Sequence, residues 1–255
     1  MKKIIKKILP SFIIINIKKL LSKINEYKQE RILKKLNGNF VNISFINNNN
    51  ILSELCEKYG SDKGYINYHS KKPYGWRPHS YTSFYHSIFG LNRENIKFVY
   101  ECGIGTNDLN IKSNMTENAK PGASLRVWRD YFVNANIFGG DIDEKVLFEE
   151  DRIRTFFVDQ LNDSSIKLMW EKTGVEKFDI IIDDGLHEPT ANLNFFFNSI
   201  QKLKKNGIYI IEDVSNHHIN HLNKELSKYD VETVTLSTKY KKYYDNNNLI
   251  VIRKL

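Results

Sequence analysis

The sequence has few cysteines and no long apolar run, and both shortages limit what the chain can be. Cys56 and Cys102 are the only cysteines in 255 residues. Two thiols cannot form a disulfide framework or a cysteine-rich zinc site, so we expect a reducing, cytoplasmic compartment. Near the N-terminus, the uncharged stretch 8–17 is far shorter than the roughly 20 apolar residues of a membrane span. Lys18 and Lys19 stand where a signal peptide would be cleaved, so we expect neither feature.

The folded body also lacks an excess of positive charge. The net charge is +8, but residues 1–40 alone carry eleven Lys or Arg and two Glu. A nucleic-acid groove should carry its positive charge on the body, so we expect no nucleic-acid partner. The basic, amphipathic segment 1–40 predicts either a peripheral contact with the inner face of the cytoplasmic membrane or a solvated helix. Such a helix would pack on the body or on a second subunit, and we expect a homo-oligomer.

The pattern of apolar residues predicts three parts: a basic amphipathic segment with a linker over 1–50, a helical cap over 51–90 and a main domain over 91–255. Alternating strands and helices in the main domain predict an α/β fold with a doubly wound, Rossmann-like parallel sheet. We expect the last strand to run antiparallel at the sheet edge. The predicted helices are 51–59, 80–89, 124–134, 164–172 and 189–205, and the predicted strands are 97–101, 137–141, 154–158, 178–183, 207–212, 231–236 and 249–253.

A glycine turn follows the first of these strands. It reads Glu101-Cys102-Gly103-Ile104-Gly105, and glycines at these positions let the backbone approach a ligand closely. A dinucleotide site would place a third glycine three residues later, where this chain has Asp108. The pattern therefore favours S-adenosylmethionine and disfavours a dehydrogenase. The alternative is that Gly103 and Gly105 only form a tight turn.

Further polar residues follow the next two strands. Asp141 could accept the ribose hydroxyls, and Asp143 is either a competing candidate or the cap of a following turn. The 40-residue spacing from the glycine turn exceeds the usual value of about 20, which predicts an inserted loop over 106–121. After the third strand, Asp159 and Gln160 could meet the adenine.

The fourth strand ends in the most informative motif. Asp183, Asp184 and His187 lie within five residues of one another, and Asp213 follows the neighbouring strand. Adjacent strands lie about 4.8 Å apart, so Asp184 and Asp213 could hold one Mg²⁺ ion through oxygen ligands. In the alternative interpretation, Asp183 caps the next helix and His187 is a buried hydrogen-bonding residue.

Residues 54–214 resemble the metal-dependent sugar O-methyltransferases typified by the macrocin and mycinamicin enzymes, and methyltransferases from capsule and lipopolysaccharide clusters. The resemblance implies a methyltransferase sheet with S-adenosylmethionine as donor, Mg²⁺ at Asp184 and Asp213, and His187 as general base beside Asp184. It rests on the segments 59–64 with Lys63, 79–82 with Tyr85, 122–132, 140–143, 159–160, 183–187 and 211–213. With these segments, the candidate cofactor-binding residues are Glu101, Gly103, Gly105, Ser124, Asp141, Asp143, Asp159, Gln160, Asp183, Tyr81 and Thr82.

The implied reaction is methylation of a sugar hydroxyl, on a nucleotide-activated sugar or a capsular or surface polysaccharide residue such as a heptose. The alternatives are another small or phosphorylated acceptor in surface-glycan modification, or a non-catalytic nucleotide-binding scaffold docked at a membrane. A methylase of nucleic-acid bases would show Asn-Pro-Pro-aromatic after the fourth strand, which this chain lacks. Three departures from the family leave the acceptor open: the 106–121 insertion, Leu186, and the pair His217-His218.

Overall fold

The computed structural model describes residues 40–43, 49–67, 69–238 and 248–255. The predicted N-terminal helix and its membrane contact fall almost entirely on residues 1–39, outside the described residues. Within the described ranges, no helix is both long enough and apolar enough to cross a bilayer. The division into three parts at residues 50 and 90 stays a prediction.

The described residues form a nine-stranded sheet with six α-helices. The strands are β1 (Phe40–Ile43), β2 (Phe98–Cys102), β3 (Asn136–Asp141), β4 (Glu149–Glu150), β5 (Ile153–Phe157), β6 (Phe178–Asp183), β7 (Leu203–Val214), β8 (Val231–Thr238) and β9 (Asn248–Lys254). The helices are α1 (Ile51–Tyr59), α2 (Tyr81–Phe89), α3 (Ala123–Tyr131), α4 (Asp163–Thr173), α5 (Pro189–Ser199) and α6 (Ile219–Leu226), with short 3-10 helices at Glu144–Val146 and Ile200–Lys202.

The sheet is doubly wound, as predicted. Its order is β1-β8-β9-β7-β6-β2-β3-β5-β4, and strands β7, β6, β2, β3 and β5 pair in parallel. From β2 the chain first builds outward through β3 and β5, and then returns to the other side of β2 for β6 and β7. The carboxyl ends of β2 and β6 therefore meet where the winding reverses, which is where ligands bind in open α/β sheets.

The two faces of the sheet bury separate apolar layers. Neighbouring residues on one strand, such as Val99 and Tyr100 or Ile180 and Ile181, contribute to opposite layers, as the alternation of side chains in a strand requires. Helices α1, α2 and α3 cover one face, and α4, α5 and α6 cover the other. Both cysteines are buried and free.

The last strands differ from the prediction. Strand β9 does run antiparallel, but it lies inside the sheet between β7 and β8, not at the edge. Strand β8 borders it, and β1 pairs in parallel with β8 at the edge of the sheet. The sequence pattern of β8 and β9 carries no information about which of two adjacent strands is outermost, because both strands have buried residues.

The region around residue 203 also differs. The predicted helix 189–205 ends as an α-helix at Ser199, and β7 begins at Leu203, before the predicted Gly207. Leu203 matches the helical period but pairs with Phe178 in the sheet and is fully buried there. Helix α6 was not predicted, although its buried Ile219, Leu222 and Leu226 have helical spacing.

The segment 106–121 is a loop, as predicted. Residues 106–121 contain turns and bends but neither helix nor strand. Helix α3 then begins at Ala123, as expected from the sequence. Its N-cap, Gly122, has φ +70°, a left-handed conformation in which a side chain would meet the Phe148 ring.

Candidate active site

A cavity of about 550 Å³ opens at the carboxyl ends of β2, β3, β5, β6 and β7, where the winding reverses. The loops after these strands form most of its wall, together with parts of residues 61–79 and of the inserted loop. Among the residues predicted for the site, the wall includes Gly103, Gly105, Ser124, Asp141, Asp159, Gln160, Asp184, His187 and Asp213. The candidates Glu101, Asp143, Asp183, Tyr81 and Thr82 lie outside this wall.

The glycine turn forms part of the cavity wall. Gly103 and Gly105 have φ values of +86° and +87°, which favour glycine. A Cβ atom on Gly103 would lie 2.1 Å from the carbonyl oxygen of Asp184, and one on Gly105 would lie 1.8 Å from Sδ of Met115. The turn is therefore packed between the loop after β6 and the inserted loop, and at Gly103 the backbone contact itself leaves no room for a side chain.

The structure separates the two candidates for ribose binding. Asp141 lines the cavity, and its carboxylate accepts hydrogen bonds from the backbone amides of Ile104 (2.9 Å) and Asp143 (3.0 Å). Burial raises the pKa of Asp141, against the lowering effect of these backbone donors. The Asp143 carboxylate instead accepts from the Thr106 hydroxyl and from the amide of Lys145, which caps the 3-10 helix Glu144–Val146.

Gln160 connects the cavity wall to the loop after β6. Its Nε2 donates to Oδ1 of Asp183 (2.6 Å), and its Oε1 accepts from the amide of Leu186 (2.8 Å). Asp183 is fully buried and also accepts a hydrogen bond from the Asn192 side chain in α5. Asp183 is therefore buried behind the cavity wall and anchors the loop after β6 through Gln160.

Next to the glycine turn, another part of the cavity wall carries the acidic and histidine side chains. Among the described residues, Asp184, His187 and Asp213 form the one group of three that could hold a metal ion, with one ligand atom from each within 4.8 Å of the others. His187 and Asp213 have φ values of 59° and 55°. Such conformations cost about 1–3 kcal/mol for a non-glycine residue and concentrate at functional sites. A register shift between Ile211 and Val214 places Asp213 in an irregular part of β7.

The donor chemistry of this group fits a hard divalent cation. Asp184 and Asp213 supply the carboxylate oxygens that Mg²⁺ prefers, whereas the His187 imidazole is a softer ligand. Nε2 of His187 lies 4.0 Å from Oδ2 of Asp213. Its Nδ1 is buried with no hydrogen-bond partner among the described residues, so no contact within the described residues commits this nitrogen as donor or acceptor.

The segment 59–64 gives Lys63 no predicted role, and the structure places this lysine among the site's acidic residues. Its Nζ lies 2.6 Å from Oδ2 of Asp184, 2.7 Å from Oε2 of Glu212 and 3.2 Å from Oε1 of Glu101. Burial lowers the pKa of Lys63, but the three carboxylates reverse this and raise it well above its ordinary value. Glu101, predicted at the cofactor, is fully buried and contacts Lys63 and the Trp128 indole instead.

Asp213 is held from a second side. The Tyr81 hydroxyl donates to its Oδ1 (2.6 Å), and Nε2 of His79 lies 3.4 Å from the same oxygen. Burial, together with Asp213, raises the pKa of Tyr81, which keeps the hydroxyl a neutral donor. Beyond His79, Trp76 lines the cavity and donates to Asp62 (2.7 Å). Asp62 belongs to the segment 59–64 that carries the family resemblance, whereas no sequence motif indicates Trp76 as a site residue.

Thr82, the remaining candidate, is also fully buried. A side chain on Gly64 would collide with its methyl group, so Thr82 packs beneath the segment that carries Lys63. Both Tyr81 and Thr82 thus contribute to the support of the site and not to its wall.

The chain is similar in sequence to curated sugar O-methyltransferases. It is 31% identical over 163 residues to 8-demethyl-8-alpha-L-rhamnosyl tetracenomycin-C 2'-O-methyltransferase of Streptomyces olivaceus, which covers 64% of this chain and 37% of that enzyme. It is 30% identical over 164 residues to mycinamicin VI 2''-O-methyltransferase of Micromonospora griseorubida, covering 64% and 36%. The matches therefore span little more than a third of these relatives. No family model matches the chain.

Among solved structures, the chain is similar to the MycE methyltransferase from the mycinamycin biosynthetic pathway, solved in complex with Mg and SAH. The TM-score is 0.59 at 22% identity, covering 82% of this chain and 56% of MycE. The resemblance inferred from the sequence motifs is thereby confirmed. The chain has the fold of a class I methyltransferase and is related, over about two thirds of its length, to sugar O-methyltransferases.

Proposed function

We propose that the chain is an S-adenosylmethionine-dependent O-methyltransferase that acts on a sugar hydroxyl with the help of Mg²⁺. The observation that carries this proposal is one cavity whose wall holds both the glycine turn with Asp141 and the group of Asp184, His187 and Asp213. The relatives named as sugar O-methyltransferases support the reaction type, and MycE, solved with Mg and SAH, supports both cofactors.

S-adenosylmethionine would occupy the end of the cavity next to the glycine turn. We assign Asp141 to the ribose, and Asp159 with Gln160 to the adenine, because these residues line the wall after β3 and β5. Gly103 and Ser124 would face the methionine part. When bound, the donor supplies an electrophilic methyl group, so the protein's task is to align the acceptor oxygen with it.

Next to this region, the chain would have to activate a weakly acidic hydroxyl. A divalent cation held by Asp184 and Asp213 would lower the pKa of an oxygen bound to it. His187 would accept the proton, because its side chain lines the cavity beside both carboxylates. The Asp213 carboxylate, 4.0 Å from Nε2, would stabilise the resulting imidazolium.

The finer identity of the acceptor is a separate part of the proposal. Two of the relatives are named for a sugar on a carrier, rhamnosyl tetracenomycin-C and olivosyl-oleandolide, and two others are named for demethylmacrocin and mycinamicin VI. The expectation from sequence was a nucleotide-activated sugar, or a capsular or surface polysaccharide residue such as a heptose, and the relatives' names do not support a capsular acceptor. In all of these expected cases the acceptor group is a sugar hydroxyl, and the acceptor panel below distinguishes the molecules to which the sugar is attached.

The direct test is calorimetry with adenosylhomocysteine, followed by methyl transfer from labelled S-adenosylmethionine. The acceptor panel would hold nucleotide-activated sugars, including a heptose, and rhamnosylated polyketides. We expect adenosylhomocysteine to bind, and transfer to stop in chelator and recover with Mg²⁺. Binding of NAD without adenosylhomocysteine, or full transfer in chelator, would contradict the proposal.

A further inference from the structure

Trp76 is the one tryptophan of the chain that lines the cavity. The chain has three tryptophans, and all three lie in the described ranges. Trp128 and Trp170 are 1% and 3% exposed and belong to the apolar layers of the fold, whereas Trp76 is partly exposed and forms part of the cavity wall. An aromatic side chain in such a wall offers a large apolar contact area to a ligand.

A chain of contacts connects Trp76 to the carboxylate of Asp213. Nε1 of Trp76 donates to Oδ2 of Asp62 (2.7 Å), and Nε2 of His79 lies 4.0 Å from the same oxygen. Nε2 of His79 also lies 3.4 Å from Oδ1 of Asp213. Two side chains, those of Asp62 and His79, therefore separate the Trp76 ring from Asp213. The ring borders the place where the reacting hydroxyl would lie.

The Trp76 ring is held in place from outside the cavity. Tyr74 is 6% exposed, lies outside the cavity wall and stacks on Trp76, with ring centroids 5.4 Å apart and an interplanar angle of 29°. Pro73 and Pro78 flank this pair of aromatic residues and restrict the backbone on both sides. Pro73 also packs against Gly60, where a Cβ atom would lie 2.9 Å from its Cγ. The ring is therefore a fixed surface.

The chemistry of this ring favours an apolar partner. The indole N–H is the only polar group of the Trp76 side chain, and it already donates to Asp62, so the ring offers carbon surface to the cavity. The face of an aromatic ring carries partial negative charge, which attracts weakly positive C–H hydrogens. A pyranose exposes such C–H groups on the faces of its ring, while its hydroxyls project from the rim.

We propose that Trp76 is a specificity-determining residue whose ring packs against a C–H face of the acceptor sugar. The contact orients the sugar so that one hydroxyl from the rim reaches the group of Asp184, His187 and Asp213. This inference rests on the proposed function and adds to it a residue that recognises the sugar itself and not the molecule to which the sugar is attached. It predicts that Trp76 contributes to acceptor binding, and to neither donor binding nor the metal requirement.

The test is methyl transfer to two probes, the acceptor of the panel above that is methylated fastest and the methyl glycoside of the same sugar. In Trp76→Leu we expect kcat/KM for both probes to fall about tenfold, mainly through KM, because an aromatic contact is lost. Trp76→Phe keeps a ring and should lose less. The Kd for adenosylhomocysteine and the Mg²⁺ concentration that gives half-maximal rate should not change. Phe197→Leu is the matched control, an aromatic residue of α5 that is 37% exposed and lies outside the cavity wall.

Tryptophan fluorescence gives an independent measurement. Because Trp128 and Trp170 are buried, titration with the methyl glycoside in the presence of adenosylhomocysteine and Mg²⁺ should change mainly the emission of Trp76. This change should be absent in Trp76→Phe. An emission change of the same size in that variant would overturn the proposal.

The outcomes separate this inference from the proposed function. If no acceptor of the panel is methylated, the proposed function is contradicted. If transfer occurs and Trp76→Leu leaves kcat/KM unchanged, only the role of Trp76 is overturned. A loss confined to the larger probe would show that Trp76 contacts the carrier, and a weaker Kd for adenosylhomocysteine would show that it contacts the donor. Either result overturns the proposal. If Trp76→Leu lacks a thermal unfolding transition, Trp76→Phe and the fluorescence titration decide the question.

Discussion

Two neighbouring parts of the cavity wall are built in different ways. At the glycine turn, the Asp141 carboxylate is already oriented by two backbone amides, and the turn is fixed by its glycines. Beside it, His187 and Asp213 occupy left-handed conformations, and one ring nitrogen of His187 has no hydrogen-bond partner among the described residues. The first part is held by the backbone, whereas the second holds backbone strain and an unpaired nitrogen. We therefore expect substitutions at the first to change affinity and at the second to change turnover.

The largest expected effect is at His187. We expect His187→Ala to lower kcat by about 10³-fold, within the range for loss of a general base, while the Kd for adenosylhomocysteine stays unchanged. His221→Ala, an exposed histidine on α6, is the matched control. If the variant instead loses Mn²⁺ affinity with kcat preserved at saturating metal, His187 is a ligand and not the base.

A somewhat smaller effect is expected for Asp213→Asn. At saturating Mg²⁺ we expect kcat to fall by about 10²-fold, because Asp184 remains while one charged partner of the reacting groups is lost. The Mg²⁺ concentration that gives half-maximal rate should rise. Tyr81→Phe removes one hydrogen bond to Asp213 and should give a weaker version of the same change. An unchanged metal requirement in Asp213→Asn would place the cation elsewhere.

Beside the glycine turn, Asp141→Asn should weaken the binding of adenosylhomocysteine without changing turnover. A hydrogen bond to a charged group contributes about 1.5–3 kcal/mol, so we expect at least a tenfold weaker Kd for adenosylhomocysteine. Turnover at saturating donor should remain near that of the unmodified protein. A matched variant, Asp143→Asn, should leave the Kd closer to normal, because Asp143 caps a 3-10 helix and lies off the wall. Equal effects of both variants on the Kd would contradict the assignment of the ribose to Asp141 rather than to Asp143.

The smallest effect on turnover is expected from removing the basic N-terminal segment. A chain that starts at residue 40 and one that starts near Ile51 should both methylate soluble acceptor within tenfold of the full chain. The second also loses β1, which exposes the edge of β8, so we expect it to aggregate more readily. Light scattering and a kcat measurement on both chains check this. A larger loss of kcat in a folded variant would show that the segment helps to build the site.

The sequence predicted those residues of the cavity wall that lie at or just after the end of a buried strand. Asp141, Asp184 and Asp213 could be found because apolar runs locate strand ends, and the ends of parallel strands meet at one edge. Lys63 could not be assigned in this way, since it reaches Asp184 and Glu212 across 121 and 149 residues of chain. Nothing in its local pattern distinguishes it from a surface lysine. The position of β9 was missed for a similar reason, because the order of strands is a long-range property.

The loop that carries His187 has a consequence for how such a protein can acquire new acceptors. Asp184 abuts Gly103, while Leu186 accepts from the Ser113 hydroxyl and donates to Gln160. Under the proposed function, the fit of the donor and the placement of the base would therefore depend on one loop, and a change in one would disturb the other. The Trp76 ring is anchored on Asp62 and not on this loop, so a substitution at Trp76 would leave the loop in place. Diversity among related chains should therefore accumulate on that side of the cavity.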